Sequence, residues 1–192
     1  MKLAVERLRE EPTSFAFEGG STWWARCSPQ SADLPRAPAE PLRFVGQAHS
    51  MGEGVYLEGS VEGCFELECS RCLARYRHGV HEGLRLVLEP AGVRVPSDPE
   101  AAESLARDGL CLGDELDTGW FRGKEIHLGS FFFEIVSLAL PVKPLCREEC
   151  PGLCPRCGVN RSVQSCECSE VKPDSPFAVL ATLRRDPTGE RD

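Results

Sequence analysis

Val55-Tyr-Leu-Glu-Gly-Ser-Val-Glu-Gly-Cys-Phe-Glu-Leu-Glu68, followed at once by Cys69-Ser-Arg-Cys72, is the stretch that decides the fold. Val55, Leu57, Val61, Phe65 and Leu67 fall at odd positions, and Glu58, Glu62, Glu66 and Glu68 at even ones. Successive side chains of a strand point to opposite faces, so this alternation predicts a half-buried strand with one wet face. Upstream, Leu42-Arg-Phe-Val-Gly-Gln-Ala-His49 reads as a strand, and Met51-Gly-Glu-Gly54 supplies the turn between the two. Beyond Cys72 a third strand is expected from about Tyr76 to Leu88. The three form an antiparallel β-meander.

Working outward, Ser130 is the expected N-cap of a helix that Pro141 ends. Leu128, Phe131, Phe132, Ile135, Leu138 and Ala139 share one face at helical spacing, which should pack on the sheet. The N-terminal third carries only weak strand signals (Leu3, Val5, Leu8) and a proline-rich loop over 28–41. Residues 95–117 hold seven acids against Arg107, so they are expected as a mobile acidic loop, with a solvated helix over 100–107 as the alternative. Ser175 and Pro176 open a short expected docking helix to Leu183, with Arg184 and Arg185 suited to its C-terminal dipole. The expected fold class is α+β: a β-meander packed by a helix, then a C-terminal cysteine-rich zinc knuckle and the docking helix. The expected division is a β-rich domain over 1–140 and a cysteine-rich segment over 141–192.

The chain has 192 residues, 41% apolar and 27% charged, enough to bury a core and too apolar for global disorder. Its formal charge of −8 excludes a globally basic protein that coats polyanions. Residues 1–10 lack the apolar run of a secretory signal, and the longest apolar run, 131–142, is too short to span a bilayer. A cytoplasmic location is therefore expected. In a reducing compartment, clustered cysteines bind metal or do redox work more often than they form structural disulfides.

Eleven cysteines are present, and eight form close pairs: Cys69 with Cys72, Cys146 with Cys150, Cys154 with Cys157, and Cys166 with Cys168. Zinc prefers thiolates in tetrahedral fours, built from pairs two to four residues apart. In Cys154-Pro-Arg-Cys-Gly158, the glycine suits the left-handed turn that aims both sulfurs at one ion. Cys166 and Cys168 are closer than the common spacing, but residues i and i+2 of an extended segment face the same way. Cys154, Cys157, Cys166 and Cys168 would then close a local knuckle, leaving Cys69, Cys72, Cys146 and Cys150 for a second site. That second site would clip a loop of over 70 residues, where cross-linking has most entropic leverage. A different partition, joining Cys69 and Cys72 to another downstream pair, stays open.

Other readings of these thiols exist. Cys69 and Cys72 form a Cys-x-x-Cys that Arg71 would activate for redox chemistry, although no thioredoxin-like βαβ pattern surrounds it. Disulfides or plain core thiols are the alternative for the six C-terminal cysteines. Cys27, Cys64 and Cys111 are isolated, and each reads as a small apolar filler or a loop thiol. Of His49, His78, His81 and His127, only His78 and His81 are spaced as a pair, and they lie on an expected strand. No nucleophile–base set or carboxylate pair stands out, and four-thiolate zinc has no open position, so neither an enzyme nor a small-molecule substrate is expected.

The stretch Cys69-Ser-Arg-Cys72-Leu resembles the first hallmark of the YceD family. The second is Glu134-Ile-Val-Ser-Leu-Ala-Leu-Pro-Val-Lys-Pro-Leu-Cys146 with Gly152-Leu-Cys-Pro-Arg-Cys-Gly158, and the third is Pro176-Phe-Ala-Val-Leu-Ala-Thr-Leu183. The resemblance covers most of 42–89 and 120–186. It implies a cytoplasmic, non-catalytic bacterial factor in large-subunit ribosomal RNA accumulation, processing or assembly, with a β-rich domain and a metal-bearing C-terminal part. Val159-Asn-Arg-Ser162 departs from the Asn-Leu-Asn-like residues that often follow the family's Cys-Gly, and the N-terminal third with Trp23 and Trp24 matches poorly.

Arg71, Arg75 and Arg77 occur with no acid between Cys69 and His81, while Lys143, Arg147, Arg156 and Arg161 flank the downstream cysteines. These bases, above all Arg71, Arg75, Arg77, Lys143 and Arg147, are candidates for phosphate contact. The alternative is that they compensate the thiolates. The expected partner is ribosomal RNA or an RNA-processing or ribosome-assembly protein. The competing readings are a protein-interaction module with purely structural zinc and a Cys-x-x-Cys redox protein.

Overall fold

The structure is a computed structural model describing residues 1–28, 34–93, 96–113 and 117–168. The chain divides into two compact units, Met1–Cys150 and Pro151–Asp192, the second described as far as Cys168. Residues 141–150, grouped by sequence with the C-terminal segment, fall in the first unit. The expected helix over 175–183 lies outside the described residues.

The first unit is α+β. Its main sheet holds β2 (Thr13–Gly19), β3 (Leu42–Met51), β4 (Gly54–Glu68), β5 (Arg75–Pro90), β6 (Leu110–Leu112) and β7 (Thr118–Phe121), in the order β2-β3-β4-β5-β7-β6. All neighbours are antiparallel except β5 and β7. A separate ribbon pairs β1 (Lys2–Ala4) with β8 (Glu125–His127). The three strands expected from sequence are β3, β4 and β5, with Met51 and Gly54 closing the first turn. β4 and β5 run in unbroken register from Val55 opposite Leu88 to Glu68 opposite Arg75. Val55, Leu57, Val61 and Phe65 are buried, and the glutamates of the alternate row face solvent.

Gly46 and Gly59 sit opposite each other in this sheet. A Cβ on Gly46 would collide with the Glu58 carbonyl, and one on Gly59 with the Val45 carbonyl. Backbone occupies the space on both sides, so no side chain can swing clear. Gly46→Ala should therefore cost about 2–3 kcal/mol, as overpacking does, read as a lowered urea midpoint with unchanged slope.

The N-terminal third supplies far more core than its sequence suggests. β2 completes one edge of the sheet, and α1 (Ser21–Cys27) carries Trp24, which is fully buried. α3 (Gly129–Ala139) lays Phe132 on Phe44 in a stack with centroids 4.3 Å apart. Its cap is Leu128, not Ser130, whose hydroxyl instead donates to Asp108 at 2.8 Å. The buried stripe is Phe131, Phe132 and Val136, while Leu138, expected in the core, is 65% exposed. The hydrophobic spacing located the helix but left its rotation about its axis ambiguous.

The acidic stretch is ordered over most of its length, which corrects the expectation of a mobile loop. Asp98 caps α2 (Pro99–Asp108) by accepting from the Ala101 N–H, Pro99 occupies the first turn, and Gly109 ends the helix in the left-handed region. Leu105 packs with Ala91 and Cys111 in a small core of its own. One buried leucine and a complete set of caps hold a helix that net charge argues against. Among the described residues, no helix is long and apolar enough to cross a membrane.

Candidate metal centres

The hairpin of β4 and β5 ends in Cys69-Ser-Arg-Cys72-Leu-Ala74. The Leu73 N–H donates to the Cys69 carbonyl at 2.9 Å, and the Cys69 N–H donates to the Ala74 carbonyl at 2.9 Å. In the second unit, Cys154-Pro-Arg-Cys157-Gly-Val159 builds the same turn. There the Gly158 N–H donates to the Cys154 carbonyl at 2.9 Å, and the Cys154 N–H to the Val159 carbonyl at 2.8 Å. The fifth residue is left-handed in both, Leu73 at φ +58° and Gly158 at +73°. Leucine pays a steric penalty there that glycine does not, and Leu73 is more than half exposed, so it gives little packing in return. Leu73→Gly should thus raise the stability of the first unit by about 0.5–1 kcal/mol, seen as an upward shift in its thermal midpoint.

Each turn meets a second cysteine pair. Cys69, Cys72, Cys146 and Cys150 bring their sulfurs within 4.8 Å of one another, as do Cys154, Cys157, Cys166 and Cys168. The Cys69 and Cys150 sulfurs are 3.8 Å apart, and those of Cys72 and Cys146 are 3.7 Å apart. A tetrahedral ion with bonds near 2.3 Å separates its thiolates by about 3.8 Å, whereas a disulfide needs about 2.05 Å. The residues fit a metal. This is the partition read from the spacing, and the rival one is not formed. The metal-capable groups among the described residues are all-cysteine and include none of the four histidines.

The first centre is largely buried: Cys69, Cys72 and Cys150 are buried and Cys146 is half-buried. The Ser70 N–H donates to the Pro144 carbonyl, and Arg71 Nη1 donates to the Glu148 and Cys150 carbonyls at 3.3 and 3.0 Å, so the hairpin tip grips the segment after α3. In the second centre Cys154 is buried, Cys166 and Cys168 are half-buried and Cys157 is exposed. Its loop is organised by Asn160, whose Oδ1 accepts from the Ser162 N–H and whose carbonyl accepts from the Val163 and Gln164 N–H groups.

Backbone amides aimed at sulfur set the ionisation. The Cys146 N–H, helped by those of Cys72 and Arg71, pulls the Cys69 thiol down to about 6. The Cys157 and Arg156 amides do the same for Cys154, also to about 6. Burial pushes the Cys146 thiol up to about 12, and hydrogen bonding to Cys157 pushes Cys168 up to about 12. At neutral pH each metal-free centre thus holds a ready thiolate, Cys69 or Cys154, beside a thiol that must lose its proton to bind, Cys146 or Cys168. Loading should release protons, and occupancy should fall as pH drops through about 6, where Cys69 and Cys154 also protonate. Metal transfer to a chromogenic chelator, followed against pH, measures this; occupancy flat down to pH ~4 would contradict it.

Of the candidate phosphate-binding arginines, Arg71, Arg75 and Arg77 have partners within the first unit. Besides Arg71, Arg75 lies 3.8 Å from Glu66, and Arg77 pairs with Glu40 and donates through Nε to the Cys64 sulfur at 3.3 Å. They belong to a cross-strand ladder in which Glu68, Glu66, Glu62 and Glu58 of β4 oppose Arg75, Arg77, His81 and Arg85 of β5. The absence of acids between Cys69 and His81 is thus a property of one strand and not of the surface. Lys143 and Arg147 are exposed on the segment after α3, beside Glu148 and Glu149. Cys111 is buried filler, while Cys27 and Cys64 are half-buried.

The family model described as large ribosomal RNA subunit accumulation protein YceD matches residues 57–184, which include both cysteine sets. The chain belongs to the YceD family. An uncharacterized protein of Mycobacterium tuberculosis is 32% identical over 113 residues, covering 59% of this chain and 48% of its own length. An uncharacterized protein of Mycobacterium leprae is 27% identical over 124 residues, covering 65% and 51% respectively. The chloroplastic YCED homolog 1 of Arabidopsis thaliana, named for large ribosomal RNA subunit accumulation, is 25% identical over 140 residues, covering 67% and 44%. The chain spans about half the length of the curated relatives it matches. No solved structure matches. β1, β2, β3 and α1 of this YceD chain precede the matched region.

Proposed function

We propose that this YceD protein is a non-catalytic, zinc-stabilised factor that promotes accumulation of large-subunit ribosomal RNA, acting in processing or assembly in the cytoplasm. The observation that carries the reading is the family match over a region containing both four-cysteine sets. Zinc is the metal favoured by four thiolates in tetrahedral spacing, and a closed thiolate shell gives it a structural role. The chain's own residues build the centres: paired amides hold thiolates, and Arg71 locks the hairpin tip to the segment ending at Cys150. Zinc would fix that tip and, in the second unit, the knuckle.

The partner is ribosomal RNA or a protein that processes it. Arg71, tied to the Glu148 and Cys150 carbonyls, is taken up by the protein itself, which favours the second option, a protein-interaction module whose zinc is structural. The redox reading of Cys69 and Cys72 is disfavoured, because their sulfurs sit in a set of four with those of Cys146 and Cys150 and not as an isolated pair. The test is complementation: cells lacking the protein should show reduced large-subunit ribosomal RNA, restored by the wild-type chain and not by Cys69→Ser. Salt-dependent binding of large-subunit RNA fragments, compared with Arg71→Glu, Arg75→Glu and Arg77→Glu combined, separates the partners. Unchanged ribosomal RNA in the deletion overturns the proposal.

A further inference from the structure

β7 pairs with β5 only along Val87–Pro90. From Arg75 to Leu86, β5 has a neighbour on one side only among the described residues. The Val87 N–H donates to the Asp117 carbonyl of the β7 side. Because successive backbone groups alternate in direction and the register has no bulge, Arg77, Gly79, His81, Gly83 and Arg85 turn their N–H and C=O groups to the open side. All five are exposed, and a Cβ on Gly79 or Gly83 would meet nothing within 4 Å. Beside this edge, on the core face, lies a groove of about 380 Å³ whose lining joins the apolar Leu84, Phe131, Ile135 and exposed Leu138 to the acids Glu82, Asp117 and Glu134.

We propose that the open edge of β5 is a docking site for an extended acidic–apolar segment of a partner protein, added as a strand collinear with β7. An unpaired edge supplies the hydrogen bonds, and alternate side chains supply selectivity. On the outer face the added strand lies next to Arg77, which also pairs with Glu40, to His81, which is 3.3 Å from Glu62, and to Arg85; their β4 neighbours are glutamates, so acids on the open side continue that alternation. Its opposite row drops apolar side chains into the groove beside α3. A second copy is the poorer occupant: antiparallel self-pairing about His81 would set Arg77 against Arg85 and His81 against itself. The inference deepens the protein-partner option of the proposed function.

The test is hydrogen exchange on the full metal-loaded chain, with and without a short acetylated peptide of alternating Glu and Val. The Glu–Val peptide should slow exchange at Arg77, Gly79, His81, Gly83 and Arg85 and leave the β2 edge unchanged. A Lys–Val peptide should bind roughly tenfold more weakly. Gly83→Pro removes one outward N–H without touching the β4 ladder and should abolish protection. Should that variant not fold, Arg77→Gln with Arg85→Gln should cut the preference to within about twofold. Protection absent from the folded wild-type chain, retained in folded Gly83→Pro, or given by an RNA oligonucleotide in place of the peptide overturns the proposal. So does a preference unmoved by the double variant, or a wild-type dimer that Gly83→Pro converts to monomer. Such a failure, with ribosomal RNA still dependent on the chain in cells, removes the edge and leaves the functional reading intact.

Discussion

Stripping metal with a chelator under reducing conditions should unfold residues 151–168 while the sheet of the first unit stays folded. The two units differ in what holds them. The first buries Trp24, Phe44, Phe65, Phe132 and a run of leucines and valines in one continuous core. In the second, the buried residues among those described are Gly152 and Cys154, so burial of apolar surface contributes almost nothing. Structural zinc in small peptides is worth about 10–16 kcal/mol of apparent binding energy, and in such units that energy is the folding energy. The first centre should act differently: an ion held there would close the long loop between Cys72 and Cys146, so its loss should cost a few kcal/mol without dissolving the core. Amide resonances of 152–168 should collapse to random-coil values on chelation and recover with zinc, while those of β3, β4 and β5 stay dispersed. Dispersed resonances for 152–168 in metal-free protein would contradict this.

The second large effect is expected far from any cysteine. Trp24→Ala should destabilise the first unit by about 3–5 kcal/mol, the range for large aromatic truncations in cores. Trp24 has no exposure, its ring lies 4.9 Å from both Phe65 and Phe133, and its Nε1 donates to the Pro35 carbonyl at 2.7 Å. The truncation therefore opens a cavity between the sheet and α3 and also removes the tie to the Pro35 loop. Trp24→Phe keeps most of the apolar contact and loses the hydrogen bond, so about 1–2 kcal/mol is expected. Domains of this size are stable by about 5–15 kcal/mol, so the alanine variant should be visibly compromised in urea titration. Equal midpoints for wild type and Trp24→Ala would show that α1 does not belong to the folding core.

These expectations also show what the sequence could and could not convey. β3, β4 and β5 were legible because long strands with one wet face repeat their period many times over. The two cysteine sets were legible because spacing alone brings each pair to one turn, and the Leu73 and Gly158 turns prove to be the same object. The N-terminal third was not: β2 and α1 are seven residues each, too short for periodicity to stand out, and Trp24 is fixed by tertiary contacts with Phe65 and Phe133. Asp98, Pro99 and Gly109 announced α2 in full, but net charge is a property of composition and carries no information about caps. The arginines of β5 looked like a basic patch because a linear reading cannot see the glutamates of β4 across the register.

The central claim, two structural zinc centres built from eight named cysteines, is most directly tested by elemental analysis of protein purified without added metal. Two zinc ions per chain are predicted, falling to one in Cys69→Ser and to one in Cys154→Ser. Zinc-free wild-type protein, or a content unchanged by either substitution, would contradict it.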